Sequence, residues 1–219
     1  MINLILIAPP AAGKGTQASL ISKEYDIPHI SIGEILRKEI SNNSDVGKIV
    51  KNMIASGQLA PDDLVSKLLE KRLLEDDCEK GFILDGFPRN IHQANILEEI
   101  LKSQNKQITK VFLLSIDKEI AKKRLLGRLI CSNCSANYND LFEDSKPNKN
   151  GKCDLCSGTL VRREDDNEET FETRFLSYEK DTLPIIEHYN TRNILIEIDA
   201  GISVEHTFSL IKKVLNDKN

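Results

Sequence analysis

The chain has 219 residues, of which 40% are hydrophobic and 29% are charged, as in ordinary soluble globular proteins. This length suits one α/β domain with insertions, and the formal net charge of −4 argues against broad, non-specific nucleic-acid binding. No apolar run approaches the roughly 20 residues of a membrane helix, and no basic region precedes the N-terminal apolar stretch. We therefore expect a cytoplasmic protein with neither nucleic acid nor membrane as a partner.

The first predicted elements are a strand, a loop and a helix. Residues 2–7 are nearly all aliphatic, as in a strand that is buried on both faces of a parallel sheet. The tetrapeptide Gly13-Lys14-Gly15-Thr16 then opens a helical pattern that continues to Tyr25. Such a junction directs backbone N–H groups and a helix N-terminus at one point, which suits a phosphate group. The stretch is close to a P-loop, although Ala8 and Gly15 depart from the strict pattern. The alternative is an ordinary strand–turn–helix corner with a surface lysine.

Short helices dominate the next part of the chain. Residues 29–32 form a short apolar piece, and helical patterns follow over residues 33–41 and 45–55 and from Pro61 onward. Because we predict no strand among them, we expect an insertion between the first and second core strands.

Strands and helices alternate through the rest of the chain. We predict strands over residues 81–84, 110–116 and 194–198. We predict helices over residues 93–101, 118–129, 168–189 (with a bend at Pro184) and 204–215. This alternation predicts a central parallel sheet with right-handed crossovers.

Two cysteine pairs give the most specific metal signal. Cys131 and Cys134 form one Cys-x-x-Cys knuckle, and Cys153 and Cys156 form another after 18 intervening residues. This spacing indicates a four-sulfur structural zinc site, with reduced thiols or an iron–sulfur cluster as the alternatives. The segment from 130 to 160 cannot bury much apolar surface, so it needs a metal or another cross-link to stay ordered. Cys78 stands apart and is expected to be a buried or half-buried thiol.

An acidic residue and several arginines suggest phosphoryl chemistry. Asp85 ends a buried strand, where an acid beside a phosphate loop usually acts through Mg²⁺, the alternative being a turn cap. Guanidinium groups suit the spread charge of a transferred phosphoryl group, although any single arginine is more often on the surface. The candidates are Arg37, Arg89, Arg124, Arg128, Arg163 and Arg174.

Together these stretches resemble one family, the adenylate kinases, in the long form with a zinc-binding lid. The matching stretches are residues 10–17, 30–37, 81–89 with Gln93, 124–128, the four paired cysteines, and 163–174. The resemblance implies a P-loop nucleoside monophosphate kinase fold whose central parallel sheet is flanked by helices. It implies a core of residues 1–30, 61–127 and 165–219, a helical insert over 31–60 that binds the nucleoside monophosphate, and a small zinc-ribbon lid over 128–164.

The implied reaction is direct transfer of a phosphoryl group from Mg·ATP to AMP, giving two ADP. The resemblance places ATP on Gly13, Lys14, Gly15, Thr16, Arg124 and Arg128. It places AMP on Ile32, Arg37, Gly86, Arg89, Gln93, Arg163 and Arg174, and structural Zn²⁺ on Cys131, Cys134, Cys153 and Cys156. It implies catalytic roles for Lys14, Asp85, Arg89, Arg124, Arg128, Arg163 and Arg174. Asp165 and Asp166 would lie near the nucleotide and the lid hinge.

The sequence also departs from the family pattern. Alanine stands at positions 8 and 11, where the family's loop usually has glycine, and strain there would weaken ATP binding. Ile32 replaces a small polar residue near the AMP base. The alternatives are therefore a kinase for another nucleoside monophosphate, or a nucleotide-binding protein with little turnover. The short connections suggest a monomer.

Overall fold

A five-stranded, all-parallel sheet forms the centre of the structure, a computed structural model that describes residues 1–217. Its strands are β1 (Ile2–Ile7), β2 (His29–Ser31), β3 (Gly81–Asp85), β4 (Lys110–Ser115) and β8 (Leu195–Asp199), in the spatial order β2-β3-β1-β4-β8. A second sheet is antiparallel and contains β5 (Arg128–Cys131), β6 (Asn137–Asn139) and β7 (Leu160–Val161), in the order β6-β5-β7.

Nine α-helices accompany these strands within residues 1–217. They are α1 (Lys14–Tyr25), α2 (Ile32–Ser41), α3 (Asp45–Ala55), α4 (Asp62–Leu73), α5 (Ile91–Ser103), α6 (Lys118–Leu126), α7 (Glu168–Ser177), α8 (Leu183–Asn190) and α9 (Val204–Asn216). Single 3₁₀ turns lie at Asp76–Cys78 and Glu143–Ser145, and a π-helical segment, Tyr178–Thr182, joins α7 to α8. No helix in this part of the chain has the length and apolarity needed to cross a membrane.

The central sheet is covered on both faces because its strands are apolar on both. In β1, Ile5 and Ile7 belong to one buried cluster, whereas Leu4 and Leu6 belong to the cluster on the opposite face. Side chains alternate between the faces of a strand, so an uninterrupted aliphatic run fills both cores. The parallel α/β class and the central sheet predicted from the sequence are therefore confirmed.

Some predicted boundaries were wrong. The short apolar piece at 29–32 includes β2, which pairs in parallel with β3, so the helical insertion follows the second strand of the chain rather than the first. Three residues are too few for a recognisable strand pattern. The predicted helix over 118–129 ends at Leu126, because the chain turns there into β5.

The predicted long helix over 168–189 is interrupted before Pro184. The π-helical segment Tyr178–Thr182 precedes α8, and Pro184 lies in the first turn of α8. A proline has no N–H to donate to the preceding turn, so the regular helical hydrogen bonding is broken just upstream of it.

Candidate active site

The loop between β1 and α1 surrounds the amine of Lys14. Lys14 is the first residue of α1, and its Nζ donates a hydrogen bond to the carbonyl oxygen of Ala8 at 3.1 Å. Burial lowers the pKa of Lys14 to about 8, and the positive charges of Arg89, Arg128 and Arg174 act in the same direction. An anion bound at the N-terminus of α1 would relieve this repulsion.

The two alanines of the loop differ in backbone conformation. Ala11 has a φ of 58°, in the left-handed region, and Gly13 also has a positive φ of 93°. Ala8 is buried and is not among the residues with positive φ. The strain expected from replacing glycine with alanine therefore falls on Ala11 and not on Ala8.

Replacing Ala11 with glycine should stabilise the protein. Because a left-handed alanine is strained, we expect Ala11→Gly to raise the free energy of unfolding by about 1 kcal/mol, or about 2–4 °C in melting temperature. Ala8→Gly is the matched control. It should lower the free energy of unfolding, because it removes a buried methyl group and raises the conformational entropy of the unfolded chain. Equal shifts for the two variants in thermal melts would show that Ala11 is not strained.

Asp85 lies beside this loop at the end of β3. Its Oδ2 is 3.2 Å from Nε2 of His29 and 3.7 Å from the place where a side chain on Gly15 would begin. Burial alone would raise the pKa of Asp85, but the hydrogen bond with His29 and the charge of Lys14 lower it on balance. An ionised carboxylate therefore stands next to the first turn of α1.

Five arginines from distant parts of the chain form one electrostatic cluster with Lys14, and three of them, Arg89, Arg128 and Arg174, act on Lys14 directly. Arg128 forms a bidentate ion pair with Asp166, in which its Nε lies 2.8 Å from Oδ2, and Arg174 pairs with Asp165. Burial, followed by the charges of Arg128 and Arg37, lowers the pKa of Arg163 to about 9.

Burial also lowers the pKa values of Arg37 and Arg89, and in both cases the charge of Arg174 contributes. The members of this cationic cluster are Lys14, Arg37, Arg89, Arg128, Arg163 and Arg174. Four carboxylates act on them, those of Asp85, Asp165 and Asp166 within the cluster and that of Glu34 beside Arg37, so six positive charges meet four negative ones and the cluster carries an excess of positive charge.

Arg124 lies apart from the cationic cluster. Its Nη1 donates to the carbonyl oxygen of Ala200 at 2.9 Å, and its guanidinium carbon lies 5.8 Å from the centre of the Phe142 ring. Burial lowers the pKa of Arg124, and the negative charge of Asp199 opposes part of this effect. Arg124 is therefore separate from the cationic cluster and lies beside the Phe142 ring.

An apolar pocket opens next to the cationic cluster, between α2, α3, α4 and the end of β3. Four of its lining residues, Ile32, Gly86, Arg89 and Gln93, were predicted from the resemblance to bind AMP. The other lining residues were not predicted, and they are Gly33, Leu36, Ile54, Gln58, Leu59, Ala60 and Val65. The aliphatic members are indistinguishable from core residues in a helical pattern, so the sequence carries no signal that they line a cavity.

The four cysteines of the predicted metal site come together at one end of the small sheet. All four Sγ atoms lie within 4.8 Å of one another, with 3.4 Å between Cys131 and Cys156 and 3.5 Å between Cys134 and Cys153. A tetrahedral zinc ion with Zn–S bonds of about 2.3 Å requires Sγ separations of about 3.8 Å. The donor set therefore fits zinc. Cys78 is fully buried elsewhere, as predicted.

The fold and site define the class of protein. A strand–loop–helix junction with an enclosed lysine, an acid at the end of the neighbouring strand of the sheet and converging guanidinium groups are the parts of a nucleoside monophosphate kinase.

Comparison with known proteins agrees. Residues 6–194 match the family model described as adenylate kinase. The adenylate kinase of Thermoanaerobacter sp. (strain X514) is 43% identical over 217 residues, which cover 99% of each chain. The adenylate kinase of Clostridium tetani (strain Massachusetts / E88) is 43% identical over the full length of both chains, and that of Clostridium perfringens (strain 13 / Type A) is 41% identical over 98% of this chain and 97% of the relative. The chain belongs to the adenylate kinase family.

Proposed function

We propose that the chain catalyses the reversible transfer of the γ-phosphoryl group of Mg·ATP to AMP, giving two ADP. The observation that carries the proposal is the excess positive charge of the cationic cluster, located between the loop at the N-terminus of α1 and the apolar pocket. Such a site can hold two phosphorylated nucleotides together, because the guanidinium groups offset the repulsion between their phosphates.

The proposed mechanism needs no covalent enzyme intermediate. An oxygen of the AMP phosphate attacks the γ-phosphorus in line, and the bond from that phosphorus to the bridging oxygen of ADP breaks. Catalysis is then positioning and neutralisation of charge. We assign the ATP phosphates to residues 13–16 and Arg128, and the transferred group to Arg163 and Arg174.

AMP is assigned to the apolar pocket. Arg37 and Arg89 would hold its phosphate at the mouth of the pocket, and the buried amide of Gln93 would recognise its base. Ile32 lines the same pocket and is apolar, so the base is read through Gln93 rather than through a polar group at position 32. Arg124 would stack near the ATP adenine, in the position beside Phe142.

Two metals are implied. Asp85 would hold Mg²⁺ through water near Thr16, and this ion neutralises phosphate charge when bound. The four cysteines would hold a structural Zn²⁺, since four thiolates close the tetrahedron and leave no position for water. Residues 128–164 would then move as one rigid lid, residues 31–60 would close over AMP, and the remaining residues would form the core. We propose that the enzyme acts as a monomer.

The decisive measurement is ADP formation from Mg·ATP and each of AMP, CMP, UMP and GMP. We expect AMP to have the highest kcat/KM. A higher value for another acceptor would make the chain a different nucleoside monophosphate kinase. Nucleotide binding without turnover, in folded protein with one equivalent of zinc, would support the alternative of a binding protein and overturn the proposal.

A further inference from the structure

The side-chain amide of Gln93 is held at both ends by the protein. Its Oε1 accepts a hydrogen bond from the backbone N–H of Arg89 at 2.7 Å, and its Nε2 donates to Oδ1 of Asp62 at 2.7 Å. Gln93 is only 3% exposed, whereas the other glutamine that lines the pocket, Gln58, is exposed. One N–H and one oxygen lone pair of the Gln93 amide remain for a ligand.

Asp62 is itself held in place. It is the first residue of α4, where a carboxylate is favoured by the helix dipole. Nδ2 of Asn90 donates to both of its carboxylate oxygens, at 3.1 and 3.2 Å. Asn90 also caps α5, because its Oδ1 accepts from the backbone N–H of Gln93 at 2.8 Å. The carboxylate therefore has a defined position relative to the amide.

These contacts permit only one orientation of the amide. An ionised carboxylate accepts hydrogen bonds and cannot donate them, and a backbone N–H can only donate. Rotating the Gln93 amide by 180° would set its oxygen against Asp62 and its N–H₂ group against the N–H of Arg89. Both hydrogen bonds would be replaced by repulsive contacts in a buried site, which is costly.

The orientation of this amide decides which purine can be bound. A 6-aminopurine such as adenine offers an N–H donor at position 6 and an acceptor at N1, whereas a 6-oxopurine offers an acceptor at position 6 and a donor at N1. With a 6-aminopurine, the glutamine oxygen accepts from the 6-amino group and the glutamine N–H₂ group donates to N1. With a 6-oxopurine, the same two contacts require the amide to be rotated by 180°. We infer that Asp62 is a positioning residue for base selection, because it holds Gln93 in the orientation that accepts 6-aminopurines. This inference rests on the proposed function.

The test compares AMP with IMP, the matching nucleotide that has a 6-oxo group, as phosphoryl acceptors. Asp62→Asn keeps the shape of the side chain but offers either an oxygen or an N–H₂ group to Gln93, so the reversed amide loses one of its two repulsive contacts and keeps the other, with the N–H of Arg89. We expect the ratio of kcat/KM for AMP to kcat/KM for IMP to fall at least about threefold, mainly through a higher KM for AMP. Asp62→Ser should act in the same direction.

Two variants serve as controls. Asp63→Asn changes an exposed carboxylate one residue along α4 and should leave the ratio unchanged. Asp62→Glu restores an acceptor-only group and should recover most of the wild-type ratio. A purely structural role of Asp62 would lower activity with both acceptors equally. The inference is overturned if Asp62→Asn or Asp62→Ser folds with the wild-type ratio, or if the wild type accepts AMP and IMP equally. If the wild type phosphorylates neither acceptor, the proposed function itself fails.

Discussion

Replacing Lys14 with methionine should lower kcat/KM for ATP by about 10³-fold without unfolding the protein. Methionine has nearly the length of lysine but no charge, so the loop between β1 and α1 loses the one side-chain cation that we assign to the ATP phosphates. The same change removes a charged amine whose burial lowers its pKa to about 8, beside three arginines. We therefore expect the melting temperature of Lys14→Met in the absence of nucleotide to equal or exceed that of the wild type.

A loss of kcat/KM with no loss of melting temperature would show that Lys14 acts in the reaction and is not needed for folding. Lys23→Met is the matched control, because Lys23 is exposed in the last turn of the same helix, α1. It should leave both steady-state kinetics and thermal melting unchanged. If Lys14→Met keeps kcat/KM within tenfold of the wild type, Lys14 does not contact the phosphates in the way proposed. A large drop in melting temperature would mean that Lys14 instead stabilises the loop through its hydrogen bond to Ala8.

Loss of the proposed zinc from the four-cysteine cluster should have the second large effect, on the order and activity of the lid. The segment from 128 to 164 has a small buried cluster, in which Cys131, Cys153 and Leu160 are the buried members. So little apolar burial does not order a segment of this size, and a structural zinc site contributes its binding free energy to folding. We expect Cys153→Ser, or a strong chelator, to make this segment sensitive to limited proteolysis and to lower kcat at least about 100-fold.

Two observations would test this prediction independently. Metal analysis of the purified wild type should give about one zinc per chain, and Cys153→Ser should retain much less. Cys78→Ala is the control, because Cys78 is buried in the main core, far along the chain from the four clustered cysteines. It should cost some stability but keep the full zinc content and the resistance of 128–164 to proteases. If residues 128–164 resist proteases in the metal-free protein, zinc is not what orders this segment.

The sequence predicted those elements whose signals lie in neighbouring residues or in a regular period. The aliphatic run of β1 indicated a strand with both faces buried, and residues 13–16 indicated a helix start that suits phosphate. The spacing of the cysteines indicated a four-sulfur cluster, and their Sγ atoms do converge. The boundaries were less accurate where an element is short, as for β2, or where a π-helical segment precedes Pro184.

The arginine cluster required more than local patterns. Arg37, Arg89 and Arg174 come from different elements, and nothing in the periodicity of their own segments brings them together. The sequence suggested them as candidates for phosphoryl chemistry, and the resemblance to a family assigned their roles, but neither showed that Arg124 lies apart from the others. The hydrogen bond between Asp62 and Gln93 was not anticipated at all, because 31 residues separate the two and each is an unremarkable helix-start residue in its own segment.

The amino-acid sequence by itself determined the α/β class, the strand–loop–helix junction that suits a phosphate group and the cysteine knuckles, since each follows from residues that are neighbours in the chain or repeat with a regular period. The tertiary structure decided which side chains share the site and in what orientation. It set Ala11, rather than Ala8, at positive φ, it separated Arg124 from the other arginines, and it placed Asp62 against the amide of Gln93. These facts depend on how distant elements pack, and packing contacts between distant residues leave no periodic trace in a single sequence.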